Sequence, residues 1–289
     1  IFSLILNTIM NGRDLALKIK EDVGDNVSSL RASGIIPRLS LILIGNDESS
    51  RRYVELKVKQ AEKIGISALV HSFEDDIALS EVCDLIKELN RDKKTDGILV
   101  QLPIPSHLDE LMVVSTISPA KDVDGLTPAS LGRIAMGEEL YTPAAAGAVI
   151  EILNQSNITI HSKKILIGGT SKILALPLAN MLINRGGIVT VAPSPNDSFV
   201  NYSKVSDIVI VDFGIPKLVK GRMVARGSVI IDSGNNYVDG KVVGDVDIDD
   251  VIQKVSMVTP VPGGLGPMLI AVLLKSIVKA ANLRSSEHS

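Results

Sequence analysis

Short β-branched runs alternate with longer windows of helical spacing along almost the whole chain, as repeated βα units require. Leu39-Ser40-Leu41-Ile42-Leu43-Ile44 reads as a buried strand closed by the turn Gly45-Asn46-Asp47, with a helix expected over 49–64. A second strand is expected at 69–73. Ser80 is an N-cap candidate for a helix carrying Val82, Leu85, Ile86 and Leu89 on one face. A third strand, 98–101, is stopped by Pro103. Units of this kind imply a mostly parallel sheet flanked by helices.

The stretch 118–141 breaks the rhythm with the turn formers Pro119, Asp122, Asp124-Gly125 and Pro128, and holds a short helical window at 131–134. A helix over 144–153 follows, and a fresh βα series begins at Ile165, with strands at 165–167, 188–191, 208–211 and 229–231. Asp239-Gly240 is a hairpin turn between 236–238 and 241–243, and a last amphipathic helix covers 266–283. The fold class is therefore α/β, two βα-repeat domains with a boundary near 142, and 289 residues suffice for both.

Composition narrows the function classes. A hydrophobic content of 45% excludes disorder for most of the chain, and 30 Lys+Arg against 33 Asp+Glu gives no pull toward nucleic acid or anionic membrane. Aromatic residues are 3% with no Trp, a poor stock for stacking bases. The single Cys83 excludes an intramolecular disulfide framework, suits a reducing compartment, and sits in the 82–89 helix as a small buried residue. The apolar opening 1–6 is short and lacks a basic flank, and Lys275 interrupts the apolar run 269–274, so a cytoplasmic protein without a membrane span is expected. A start at Ile1, with Met10-Asn11-Gly12 close behind, reads as that of a fragment or a processed chain. His71, His107, His161 and His288 show no metal-ligand spacing, and no metal is expected.

Several segments carry candidate chemistry. Ile167-Gly168-Gly169-Thr170-Ser171, leading into a helix, offers backbone amides to a dinucleotide pyrophosphate, or is a tight structural turn. About 25 residues on, where NAD-binding domains place an acidic residue, stands Ser194, compatible with a 2′-phosphate; Asp197 keeps NAD open. Tyr53 and Lys57 lie four residues apart and share a helix face, either as a reactive pair or as a solvated lysine beside a half-buried tyrosine. Gln101 ends a strand, where open α/β sheets bind ligands, or satisfies backbone at a sheet edge. Lys121-Asp122-Val123-Asp124-Gly125 is a polar loop or presents a carboxylate. Residues 259–268 hold three prolines and three glycines, a stiff loop suited to close backbone approach to a ligand.

Taken in order, Tyr53-Val54-Glu55-Leu56-Lys57, Gly97-Ile98-Leu99-Val100-Gln101-Leu102-Pro103, Pro119-Ala120-Lys121-Asp122-Val123-Asp124-Gly125, Gly169-Thr170-Ser171 with Pro177, and 259–268 resemble the bifunctional methylenetetrahydrofolate dehydrogenase/methenyltetrahydrofolate cyclohydrolase family. The ordered set is highly specific and covers the chain from about Met10 to Leu283. The resemblance implies a folate-binding catalytic domain at 1–141 plus 267–289, a Rossmann-type domain at 142–266, a folate site in the cleft, NADP as cofactor and a homodimer. It implies that Lys57 carries protons, Gln101 holds and tunes it, and Tyr53 orders folate and lysine. Leu102, Pro103, Asp124, Pro262, Gly263 and Gly264 are the further substrate contacts it implies. Gly168, Gly169, Thr170, Ser171, Ser194, Gly214, Asp232 and Gly234 are the cofactor contacts. Thr170 stands where the family commonly has Arg, Ala175 replaces a glycine, and Leu269 replaces a Thr. The first of these bears on NADP against NAD; none touches Lys57, Gln101 or Asp124. Two other classes fit the βα pattern alone: a shikimate dehydrogenase-like NAD(P) enzyme and a non-catalytic nucleotide-sensing module.

Overall fold

The computed structural model describes residues 8–286; the apolar run 1–6 and His288 lie outside them. Contacts divide the chain into two compact units. One comprises Lys18–Thr142 and the chain from Ile270 onward; the other comprises the chain up to Leu17 and Pro143–Leu269.

In the first unit, α1 (Gly12–Ala32) precedes β1 (Arg38–Ile44), α2 (Glu48–Lys63), β2 (Ser67–Phe73), α3 (Leu79–Arg91) and β3 (Gly97–Val100). Helix α1 stands outside the expected βα series, although Ala16, Ile19, Val23, Val27 and Leu30 recur at helical spacing and are its buried face. The three strands form a parallel sheet in the order β2-β1-β3, with Leu41 opposite both Val70 and Leu99. Strand β1 is central and covered on both faces, which is why its sequence is nearly all apolar. Helix α3 packs Val82, Ile86 and Leu89 on Ile42, Ile98 and Val100. Its N-cap is Ala78 and Ser80 lies inside the helix, so the expected cap is corrected; no side chain caps this end. The segment after α4 (Glu110–Ser115) rejoins the sheet through an isolated parallel bridge between Ile98 and Asp122, and leads to α5 (Pro128–Ala135).

The second unit contains α6 (Ala144–Gln155), β4 (Lys164–Gly168), α7 (Ala175–Asn184), β5 (Ile188–Ala192), α8 (Asp197–Ser203), β6 (Ile208–Val211) and β7 (Val229–Asp232). The hairpin β8 (Asn236–Val238) and β9 (Lys241–Val243), α9 (Ile248–Val251) and β10 (Met257–Val258) complete it. Its five-stranded sheet is parallel, in the order β10-β7-β6-β4-β5. Strand order therefore reverses at β4: β5 lies on one side and β6 on the other, which opens a crevice at the carboxyl ends of β4 and β6.

The two ends of the described chain lie in different units. The segment before Leu17 belongs with the second unit, because Met10 N–H donates to the Val258 carbonyl at 2.9 Å and Ile9 bridges Val258 in parallel. Helix α10 (Leu265–Ser286) counts with the first unit from Ile270 on. There Arg284 pairs with the buried Asp96 at 2.6 Å, and Lys279 donates to the Leu140 carbonyl at 2.6 Å. By length and composition α10 could cross a membrane, but 67% of its apolar window is buried in the fold.

Candidate active site

Helix α2 starts at a defined cap: the Asp47 carboxylate accepts from Ser50 N–H at 2.7 Å. Burial of Ser50, Val54 and Ala61 sets the rotation of α2, and Lys57, one turn after Tyr53 and beside Val54, is carried to the sheet's carboxyl end. There its Nζ donates to Gln101 Oε1 at 2.9 Å. Gln101 is held on both sides. Its main-chain N–H continues the ladder to the Ile42 carbonyl at 2.9 Å, and its Nε2 donates to the Leu102 carbonyl at 2.7 Å. With the amide group tied down by its nitrogen, the oxygen is the end left to face the lysine.

Asp124 is the third member. Burial lowers the Lys57 pKa and the nearby Asp124 opposes that shift. Burial likewise raises the Asp124 pKa, opposed by Lys57 and reinforced by Asp122. The two shifts run in opposite directions and bring the proton affinities of the amine and the acid closer together, which favours proton exchange at this site.

The loop that delivers Asp124 is built by its neighbours. Asp122, 1% exposed, accepts from Leu126 N–H (3.2 Å), Thr127 N–H (2.8 Å) and Ser130 Oγ (2.6 Å). Lys121 donates through Nζ to the Leu89 and Asp92 carbonyls, and its own carbonyl accepts from Ile98 N–H at 2.8 Å. Of this charged run, then, Lys121 and Asp122 fasten the loop and Asp124 addresses Lys57. Tyr53 is 40% exposed on α2, Leu102 packs against the core, and Pro103 is exposed. A separate cavity of about 510 Å³ between α2 and β2, lined by Val54, Val58, Val70 and Phe73, includes none of Lys57, Gln101 and Asp124.

In the second unit the crevice at the switch point is bordered by two turns. Gly168 ends β4 and Gly169 follows it; Gly169 has φ 110°, and a Cβ there would stand 2.5 Å from the Asp212 carbonyl oxygen, so only glycine fits. Ser171 hydrogen-bonds the Asp212 carboxyl, whose pKa burial raises. Thr170 and Ser194 are exposed, and Ser194 Oγ accepts from Asn196 Nδ2 at 3.3 Å. Gly214 lies in the second turn, after β6. This arrangement, a glycine turn at the head of β4 beside the reversal of strand order, fits a dinucleotide.

Asp232, an expected cofactor contact, is engaged within the chain. It is 2% exposed, and its oxygens accept from the main-chain N–H groups of Gly234 (2.8 Å), Asp245 (3.0 Å) and Val246 (2.9 Å). Burial pushes its pKa up to about 6 despite those bonds. Gly234 packs against Asp245, and a Cβ on it would meet the Asp245 main-chain nitrogen at 2.4 Å. Pro262, Gly263 and Gly264 follow Thr259, whose hydroxyl accepts from Asp232 N–H at 2.8 Å. Among the described residues no cluster of three or more His, Cys, Asp or Glu could hold a metal ion.

Two family models cover most of the chain: the catalytic domain of tetrahydrofolate dehydrogenase/cyclohydrolase matches residues 10–124, and its NAD(P)-binding domain matches 143–285. The chain belongs to the tetrahydrofolate dehydrogenase/cyclohydrolase family. A bifunctional protein FolD from Acetivibrio thermocellus is 40% identical over 278 residues, 96% of this chain and 98% of that protein. The crystal structure of the bifunctional methylenetetrahydrofolate dehydrogenase/cyclohydrolase FolD from Campylobacter jejuni superposes with a TM-score of 0.94 at 38% identity, covering 96% of this chain and 99% of that one. The Trypanosoma brucei N5,N10-methylenetetrahydrofolate dehydrogenase-cyclohydrolase, complexed with NADP cofactor and inhibitor, gives 0.91 at 31% identity, with 97% and 98% covered. Family membership places Lys57, Gln101 and Asp124 in the catalytic-domain match and the β4 turn in the NAD(P)-binding match.

Proposed function

We propose that the chain oxidises 5,10-methylenetetrahydrofolate to the 5,10-methenyl form and hydrolyses that product to 10-formyltetrahydrofolate. The single observation that carries this reading is the half-buried Lys57 amine held by Gln101 beside Asp124, within a member of this family. NADP, when bound, accepts the hydride. Loss of hydride leaves a cation shared by the two nitrogens that flank the one-carbon unit, so this step asks for positioning more than for a strong base. Tyr53, Leu102 and Pro103 are the proposed contacts that position the folate.

Hydrolysis does need proton transfer. A water oxygen bonds to the methenyl carbon, and neutral Lys57 Nζ takes a proton as that bond forms. The carbon–nitrogen bond on one side then breaks, its electron pair stays on the nitrogen, and Lys57 returns the proton there. The second water proton leaves to solvent as the formyl carbonyl forms, which balances the cation's charge. Gln101 Oε1 orients the amine through both transfers, and Asp124 is the proposed anchor for the pterin ring.

Gly168, Gly169, Thr170 and Ser171 are the proposed seat of the pyrophosphate, with Gly214 bordering the cofactor and Ser194 toward the 2′-phosphate. Homodimerisation is part of the proposal, supported by the outer edge of β2, which lies at the end of the sheet order with Leu69 58% exposed. A cytoplasmic setting is supported by the lone buried Cys83, and the formyl product is a one-carbon donor of the kind purine biosynthesis consumes. A net charge of −3 supports the absence of nucleic-acid and membrane partners. The cofactor assignment is tested with Ser194→Ala: kcat/KM for NADP should fall several-fold while that for NAD stays within twofold. Equal losses for both cofactors would remove the 2′-phosphate contact from Ser194.

A further inference from the structure

Asp245 is fully buried, 0% exposed, yet it lies outside every motif that marks the site. Its carboxylate accepts three consecutive main-chain N–H groups: Phe213 at 2.6 Å, Gly214 at 3.0 Å and Ile215 at 3.0 Å. Asn236 Nδ2 donates to the same group at 2.8 Å. Asp245 is itself fixed, because its own N–H and that of Val246 end on Asp232, and Asp232 N–H ends on Thr259 Oγ1. Two carboxylates, Asp245 and Asp232, therefore tie the turn after β6 to β8 and to the ends of β7 and β10.

Consecutive N–H groups converging on one point form an anion-binding nest. Here the nest is already filled by a carboxylate of the same chain. The turn at 213–215 has no amides left for a phosphate, whereas in the turn after β4 the Gly169 N–H is spent on the Ala192 carbonyl at 2.9 Å and the N–H groups of Thr170 and Ser171 are the ones offered to a phosphate. The geometry points to Asp245 as a positioning residue for the cofactor: it fixes the Phe213-Gly214-Ile215 turn as a rigid wall of the dinucleotide crevice and directs the pyrophosphate to the β4 turn. This rests on the reading that Gly214 borders the cofactor. The Asp245 side chain is wholly buried, so it acts on cofactor affinity through the turn it holds. Only a carboxylate accepts from four donors at once; an amide in its place would set an NH₂ against N–H groups.

The test compares Asp245→Asn, Asn236→Ala and Gly214→Ala in the full chain, by fluorescence titration with NADPH and by steady-state kinetics with NADP. Asp245→Asn should raise Kd and the KM for NADP about tenfold, with kcat within threefold and the KM for methylenetetrahydrofolate unchanged. Asn236→Ala removes one of the four donors and should raise the KM for NADP two- to threefold; it decides the matter if Asp245→Asn does not fold. Equal losses in both substrates' KM, with no selective loss of cofactor affinity, overturn the assignment and leave Asp245 a purely structural carboxylate. Gly214→Ala reports on the underlying reading. If it weakens NADPH binding while the other two variants bind normally, the positioning role alone fails. If all three bind NADPH normally, the turn does not border the cofactor.

Discussion

Lysine 57 is held where water is scarce, with one neutral hydrogen-bond partner and a carboxyl whose own pKa is raised. An ammonium in such a place costs folding free energy, and the chain tolerates it because an uncharged amine is what hydrolysis needs. Lys57→Met should therefore abolish hydrolysis of methenyltetrahydrofolate while raising stability by about 1 kcal/mol, a few degrees in melting temperature. The sign follows from linkage. A lysine whose folded pKa is lowered binds more protons unfolded, so stability rises with pH between that lowered value and the unfolded 10.5. The wild type should accordingly close the gap to Lys57→Met as pH rises through that window; a gap that stays constant would mean burial of the charge is not its cause. At this scale the site was partly legible. Tyr53 and Lys57 sit at helical spacing and Gln101 at a strand end, positions read directly from the chain. The roles of Asp122 and Asp245 were not, because a carboxylate that accepts mostly from main-chain N–H groups leaves no spacing signature in the sequence.

Elements bring these residues together, and the least regular one matters most. Strands β1, β3 and β4 lie within one or two residues of where the β-branched runs end, since burial on both faces demands unbroken apolar sequence. Helix boundaries followed less closely. Leu79 opens α3 without a side-chain cap, and the six-residue α4 is too short to show a period. The loop from Lys121 to α5 has no periodicity at all and owes its shape to Asp122. Asp122→Ala removes an acceptor from Leu126 N–H, Thr127 N–H and Ser130 Oγ, leaving buried donors unpaired. A loss of about 3 kcal/mol is expected in urea denaturation, with a larger fall in hydrolysis than in stability because Asp124 loses its seat. Full activity in a destabilised variant would detach the loop from the site.

At the scale of the whole molecule, the α/β class and its two βα-repeat domains followed from where the apolar rhythm stops and restarts. Grouping of the first described residues did not, because it rests on contacts such as the Ile9–Val258 bridge, the Met10 hydrogen bond and the close approach of Gly12 to Gly264, none of which has a local sequence signal. The same limit applies to cofactor choice, where Thr170 replaces the family's usual arginine and side chains far apart in sequence must supply the contact. One measurement tests the account most directly: purified chain mixed with 5,10-methylenetetrahydrofolate and NADP or NAD, with reduced cofactor and 10-formyltetrahydrofolate both followed over time. Reduction of NADP in preference to NAD, followed by formyl product made by the same chain, is the expected result. No reduction of either cofactor would contradict the account.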